Sequence, residues 1–100
     1  MIVHLVFFNM LPEAVGSSAK DNANSLVEQL RALPAQIPAI VELEAGLDFS
    51  NSPASYEVGL LTKFQSREDL ETYRVHPAHQ KVVEFVKATT SNRAVVDFEI

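Results

Sequence analysis

The chain has 100 residues, 47% of them hydrophobic, and its thirteen acidic and eight basic residues give a formal net charge of -5. This length predicts one domain that buries roughly two-thirds of its unfolded surface. Because the chain is acidic and has no cluster of Lys or Arg, nucleic acid and anionic membrane surfaces are not expected partners. The absence of cysteine excludes disulfides and thiolate metal sites.

The apolar amino terminus does not predict a membrane anchor. Met1 to Leu11 is too short to cross a bilayer and has no basic leader. A chain without cysteine is compatible with a reducing compartment. We therefore expect an uncleaved, cytoplasmic protein.

The first predicted element is a strand from Ile2 to Asn9, a β-branched and aromatic run without helical periodicity. Apolar residues occupy both of its faces, a pattern typical of a central strand covered on both sides. One face carries His4, Val6 and Phe8, and the other carries Val3, Leu5 and Phe7.

A helix follows the loop predicted for Pro12 to Ser17. Ser18 and Asp21 form a capping-box pattern at its start, and Pro34 ends it. The segment from Pro34 to Pro38 is expected to be a connector. The apolar face of the helix is formed by Ala23, Leu26, Val27, Leu30 and Leu33.

Two further strands are predicted from alternating patterns. Ile40 to Phe49 places apolar residues on one side and acidic residues on the other, as in a strand exposed on one face. A loop from Asn51 to Ser55 precedes the strand Tyr56 to Phe64.

A pair of helices broken at His76-Pro77 is predicted next. Ser66 and Asp69 form a capping pattern for the first helix. Pro77 disfavours helical backbone at the residue before it and suits the first position of a new helix. The second helix has an apolar stripe of His79, Val82, Val83 and Val86. Ser91-Asn92 is expected to close this helix, and Ala94 to Ile100 to form the last strand.

The predicted order is strand, helix, strand, strand, helix pair, strand. This order is typical of an α+β, ferredoxin-like split βαβ fold, with a four-stranded antiparallel sheet and helices on one face. Since the helices cover one face only, yet the first strand is apolar on both, we expect a homodimer in which two sheets pack face to face.

The chemistry of the chain is concentrated at the helix break. His79 lies in the first turn of the second helix, where the helix dipole and burial should both lower its pKa. Tyr73 lies in the last turn of the preceding helix, so the two side chains are expected to converge. A neutral imidazole beside a phenol is a usable general base near neutral pH.

Each of these residues also has a structural interpretation. His79 and Tyr73 would otherwise form a hydrogen-bonded pair that fixes the angle between the helices. His76 is expected to satisfy local backbone groups or to face solvent rather than to touch a substrate. His4 is either a pocket lining or a hydrogen-bonded core residue. No carboxylate stands at ligand spacing from the three histidines, so neither a metal site nor a cofactor is predicted.

The chain resembles the stress-responsive A/B barrel family of dimeric α+β barrels along essentially its whole length, as one domain, residues 1–100. The resemblance rests on the opening strand Met1-Ile-Val-His4-Leu-Val-Phe-Phe8, on the element Tyr73-Arg-Val-His76-Pro77-Ala-His79, and on the ending Val96-Asp97-Phe98-Glu99. The family includes a plant polyketide cyclase that needs no cofactor. Its histidine and tyrosine at this spacing act as general base and substrate anchor, which implies these roles for His79 and Tyr73, and its first-strand histidine corresponds to His4.

Two alternative functions are therefore expected. The first is a dimeric family member that binds a small apolar or aromatic molecule between sheet and helices. The second is a cofactor-independent, cyclase-like enzyme with His79 as base and Tyr73 as anchor. In both, the ligand pocket is predicted to be lined by His4, Val6, Phe8, Val58, Leu60, Val82 and Val83.

Overall fold

The computed structural model describes residues 1–100 and contains six strands, three α-helices and one 3-10 turn. In chain order the elements are β1 (Ile2–Met10), β2 (Glu13–Ala14), β3 (Ser17–Ser18), α1 (Ala19–Arg31), the 3-10 turn (Leu33–Ala35), β4 (Glu42–Leu47), β5 (Val58–Phe64), α2 (Arg67–Val75), α3 (Pro77–Thr89) and β6 (Thr90–Glu99).

The main sheet has four antiparallel strands in the order β4-β5-β1-β6. The predicted ferredoxin-like α+β fold is thereby confirmed. The first strand is central, as predicted, and its register sets the site described below. His4 lies opposite Thr62 on β5 and opposite Asp97 on β6.

The core lies between one face of this sheet and the helices. It contains eighteen buried hydrophobic residues, among them Ile2, Val6, Phe8 and Met10 from alternate positions of β1. Each large aliphatic or aromatic side chain buried in this way contributes about 1.5 to 3 kcal/mol. This packing holds α2 and α3 in place above β1 and β5.

Side-chain caps fix where the helices begin, as the sequence predicts. The Ser18 hydroxyl accepts a hydrogen bond from the Asp21 N–H at 3.1 Å. The Ser66 hydroxyl accepts one from the Asp69 N–H, also at 3.1 Å. The predicted break is confirmed too, because α2 ends at Val75, His76 is extended with φ -66° and ψ 135°, and α3 begins at Pro77.

The structure corrects several predicted boundaries. The segment expected to be a loop forms the β2–β3 hairpin, whose turn places Val15 at φ 48° and Gly16 at φ 77°. The predicted connector after α1 contains the 3-10 turn, and the strand predicted from Ile40 to Phe49 is shorter at both ends.

The last two strands also differ from the prediction. β5 begins at Val58 rather than Tyr56, so Tyr56 leaves the strand's alternation and packs against Phe7, with ring centroids 6.1 Å apart. β6 begins directly after α3 at Thr90. Ser91 and Asn92, predicted to close the preceding helix, belong to this strand, since Asn92 pairs with Asn9 on β1.

The second face of the sheet carries no helix of this chain, and we call it the outer face. Leu5, Phe7 and Leu61 on this face remain partly exposed. Val96 and Phe98, which pair with Leu5 and Val3, are 50% and 43% exposed. The apolar pattern on both faces of β1 therefore leaves an apolar surface that the monomer does not cover.

Candidate functional site

A cavity of about 420 Å³ lies between α3 and the β1–β6 side of the sheet. It exists because β6 is an edge strand that extends beyond the cover of the helices, and almost all of its side chains are exposed. Aliphatic side chains of β1 and α3 form its apolar wall. Its polar groups come from His4 on β1, Tyr73 and Arg74 on α2, His79 and Gln80 on α3, and Arg93 and Asp97 on β6.

Tyr73 lies at the end of α2 with its ring fully buried against Phe64, at a centroid distance of 5.1 Å. Its hydroxyl makes no hydrogen bond to another protein group. Burial raises the pKa of this hydroxyl, so it stays protonated across the physiological range. Tyr73 therefore lines the cavity and carries a neutral O–H donor that is itself buried in the cavity wall.

His79 lies in the first turn of α3, half-buried, and its Nδ1 is 3.1 Å from the carbonyl oxygen of Arg74. A carbonyl oxygen only accepts, so Nδ1 carries the proton and the lone pair of the neutral ring lies on Nε2. Burial lowers the pKa of His79, and electrostatic interactions with His4, Arg74 and Arg93 lower it further, against the opposing effect of the Arg74 hydrogen bond. The ring is therefore neutral near pH 7.

The three rings are brought together at one end of the cavity. The centroids of Tyr73 and His79 are 4.2 Å apart with the planes tilted by 40°. The ring of His4 is 6.0 Å from that of Tyr73, in an edge-on arrangement at 66°. The predicted convergence of Tyr73 and His79 is thus present. However, His79 forms its hydrogen bond with the Arg74 carbonyl and not with the Tyr73 hydroxyl.

His4 is held from both neighbouring strands. Its Nδ1 forms a hydrogen bond with the carboxylate of Asp97 on β6. Since a carboxylate accepts, Nδ1 is again the protonated nitrogen. On the other side, the buried Thr62 hydroxyl donates to the His4 carbonyl at 3.3 Å.

His76 stands apart from this cluster. Its Nδ1 accepts a hydrogen bond from the Ala78 N–H at 3.1 Å and so caps α3. The prediction that it satisfies local backbone groups is confirmed. The histidines do not converge with other side chains into a group of potential metal ligands.

Comparison with known protein families shows the family to which this chain belongs. Residues 2–100 match the Stress responsive A/B Barrel Domain. The chain belongs to this family. The resemblance seen in the opening strand and in the element from Tyr73 to His79 is therefore confirmed.

Relatives of this A/B barrel protein include an uncharacterized protein of Streptomyces coelicolor. It is 35% identical over 82 residues, which cover 80% of each chain. A dimeric protein of unknown function with a ferredoxin-like fold from Bacteroides fragilis is 28% identical, with a TM-score of 0.84 over 99% of this chain and 95% of that one. The hydroxynitrile lyase from Passiflora edulis has a TM-score of 0.80 over 99% of this chain and 92% of its own, and at 18% identity this likeness shows the fold alone.

The structure places most of the predicted site residues of this A/B barrel protein around the one cavity. Tyr73 and His79 lie at its polar end. Val58 is the exception, since it is buried in the core and does not line the cavity. The others that line it are His4, Val6, Phe8, Leu60, Val82 and Val83.

Sequence reasoning missed Arg93 and Asp97 as parts of the site. The signal that would have found them is the alternation of β6, in which Arg93, Val95 and Asp97 share one face. Assigning that face requires the register with β1, where Phe8, Val6 and His4 are their partners.

None of the helices is long and apolar enough to cross a membrane.

Proposed function

We propose that this A/B barrel protein binds a small molecule with an apolar or aromatic body and an oxygen acceptor in the cavity beside Tyr73. The observation that carries the proposal is the Tyr73 hydroxyl, which is buried and has no hydrogen-bond partner within the protein. An unsatisfied buried hydroxyl costs about 1 to 3 kcal/mol, and a ligand carbonyl that accepts its proton offsets this cost.

The cavity suits such a ligand in size and composition. Its volume of about 420 Å³ lies within the range of roughly 300 to 1,000 Å³ that is usual for small-molecule sites. Val6, Phe8 and Val82 supply apolar surface, while Tyr73, His79 and His4 lie together at one end. This arrangement orients the polar group of a ligand towards Tyr73.

A second function, proton transfer, is favoured by the tautomer of His79. Its Nε2 lone pair takes a proton from the carbon next to a ligand carbonyl, and the electrons of that C–H bond form an enolate. The Tyr73 hydroxyl donates a hydrogen bond to the enolate oxygen, where the negative charge develops. In an isomerase-like reaction, His79 returns the proton to another carbon of the enolate. In a cyclase-like reaction, the enolate carbon attacks a second carbonyl carbon of the same substrate, a C–C bond forms as the C=O π bond breaks, and His79 returns the proton to the resulting alkoxide; neither reaction needs a cofactor.

The binding proposal is tested by NMR titration with a panel of small phenolic and β-keto compounds. We expect one ligand class to shift the His79 and Tyr73 ring resonances, and Tyr73→Phe to weaken its binding about tenfold, as expected for one lost hydrogen bond. The matched control is Tyr56→Phe, since Tyr56 lies against Phe7 on the outer face. If both tyrosine variants bind like wild type, the proposal is wrong.

The catalytic option has its own measurement. Exchange of α-protons of a bound β-keto compound with deuterated solvent should occur with wild type and be abolished by His79→Gln. The control is His76→Asn, because asparagine retains the capping role of His76. Exchange that persists in His79→Gln would remove His79 as the base while leaving the binding proposal intact.

We also propose that the protein forms a homodimer through the outer face. Apolar side chains of three strands, Phe7, Leu61 and Val96, lie on this face, and the Bacteroides fragilis structure with the same fold is dimeric. Packing two such faces about 10 Å apart removes this apolar surface from water. The cavity is on the opposite side of the sheet, so dimer formation leaves it open.

A further inference from the structure

We propose that Arg93 makes the cavity selective for organic anions, and that the ligand carries a carboxylate at the end of the cavity formed by β6. This inference rests on the proposed binding function and adds the chemical class of the ligand. It goes beyond Tyr73, whose hydroxyl recognises an oxygen acceptor without requiring charge.

The position of Arg93 is the first observation. On β6 it lies opposite Phe8 of β1, on the same face as Val95 and Asp97, and it lines the cavity. Arg93 is exposed, and its position on β6 lies four residues from Asp97, which pairs with His4 at the end of the cavity near Tyr73.

The second observation is that Arg93 has no partner. Arg31 donates to the Ala45 carbonyl, Arg67 pairs with Glu99, and Arg74 pairs with Glu71. Arg93 is the only one of the four arginines that makes neither a hydrogen bond nor an ion pair to the protein. A planar guanidinium with all its N–H donors available is suited to bind a carboxylate through two parallel hydrogen bonds.

The carboxylate nearest to Arg93 along the same face of β6 already has a hydrogen-bond partner. Asp97 forms the hydrogen bond with His4 that was described above. The remaining charged side chains at the cavity are Arg93 and Arg74, while the chain as a whole carries a net charge of -5. Since Arg74 pairs with Glu71 and Asp97 pairs with His4, Arg93 is the charged side chain of the cavity that lacks a partner, and its positive charge helps to lower the pKa of His79.

Together these positions define a ligand with two oxygen functions on an apolar body. A carbonyl accepts the Tyr73 proton, and a carboxylate pairs with Arg93. Keto acids with an aromatic or branched body have this arrangement, whereas the corresponding amides and esters lack the charge.

The test compares matched anionic and neutral probes by NMR titration of the full-length protein. The probes are 4-acetylbenzoate and 4-acetylbenzamide, and, as an aliphatic pair, levulinate and its amide. For at least one pair we expect the anion to bind about tenfold more tightly, from the charge-assisted contact, with an affinity that falls as salt is raised.

Variants assign this preference to Arg93. Arg93→Gln should lose the preference for the anionic probe, while Arg93→Lys should retain part of it. Lys87→Gln is the control, because it removes the same net charge from an exposed position of α3 outside the cavity. Arg93 is exposed on an edge strand, so these variants should fold.

The outcomes separate the two proposals. If neutral probes bind and shift Tyr73 but anions bind no better, or if Lys87→Gln abolishes the preference as fully as Arg93→Gln, the selectivity inference is wrong and the binding proposal stands. If no probe of either charge binds at millimolar concentration, both fail.

Discussion

The imidazole of His79 lies against the ring of Tyr73, with centroids 4.2 Å apart, yet the two side chains use none of their polar atoms on each other. His79 donates its Nδ1–H to the backbone of the preceding helix, and the Tyr73 hydroxyl has no protein partner. The contact thus fixes the position of both rings through packing. It leaves one donor and one acceptor for a third molecule.

This contact predicts that Tyr73→Phe weakens ligand binding without lowering the stability of the fold. The substitution retains the buried ring and removes a hydroxyl that is unsatisfied in the fold. We expect the free energy of unfolding to be unchanged or to rise by about 1 kcal/mol, measured by urea denaturation. If the variant is instead less stable by that amount, the hydroxyl has a structural partner and the two rings form a clamp between α2 and α3.

A second prediction concerns pH. The folded protein holds His79 with a lowered pKa, whereas the unfolded chain takes up the proton near the ordinary value of about 6.5. Between the lowered pKa of the folded state and about pH 6.5, the unfolded state therefore binds more protons. The stabilising contribution of neutral His79 is complete above about pH 6.5 and is lost as the pH falls towards the lowered pKa.

The measurement is urea denaturation of wild type and His79→Gln at pH 7.5 and pH 5.5, at one protein concentration. Wild type should lose more stability on acidification than the variant. Equal losses in the two proteins would show that His79 titrates alike in the folded and unfolded states.

A third prediction tests how α2 is anchored. Ser66 accepts a hydrogen bond from the Asp69 N–H at the start of the helix that ends with Tyr73. Ser66→Ala should lower the free energy of unfolding by about 1 kcal/mol, while Ser66→Asp should be nearly neutral because aspartate caps equally well. Thermal denaturation compares the three proteins, and a Ser66→Asp loss as large as that of Ser66→Ala would contradict the cap as the cause.

The fold was predictable from the sequence where the pattern is local. Pro77 restricts its own backbone and that of His76, so the helix break needs no tertiary information. Ser18 and Ser66 start helices for the same kind of local reason. The element from Tyr73 to His79 could be identified as a candidate site because a sharp break brings the end of one helix close to the start of the next.

The parts that sequence reasoning missed depend on contacts between distant strands. Arg93 and Asp97 join the site only through the register of β6 with β1, which places Asp97 opposite His4, 93 residues away in sequence. The start of β6 was misplaced because Ser91 and Asn92 have the composition of a turn, yet Asn92 pairs with Asn9. Val58 shares a strand face with Leu60, but only the structure shows that it lies outside the cavity.

The last prediction tests the outer face as the dimer interface. Leu61 lies on that face, opposite Leu5 in the central part of the sheet. Leu61→Asp places a charge where two apolar faces are proposed to meet, and a buried unpaired charge is strongly destabilising. We therefore expect the variant to sediment as a monomer of about the chain mass at micromolar concentration, where wild type is a dimer.

The control for this experiment is Val75→Asp. Val75 is also an apolar residue, 62% exposed, but it ends α2 on the helical side of the molecule. This variant should remain a dimer, and circular dichroism of both variants separates dissociation from unfolding. If Leu61→Asp is a folded dimer, or if wild type is a monomer, the outer face is not the interface. A Leu61→Asp variant that is folded, monomeric and still binds ligand would place the interface and the cavity on opposite sides of the sheet.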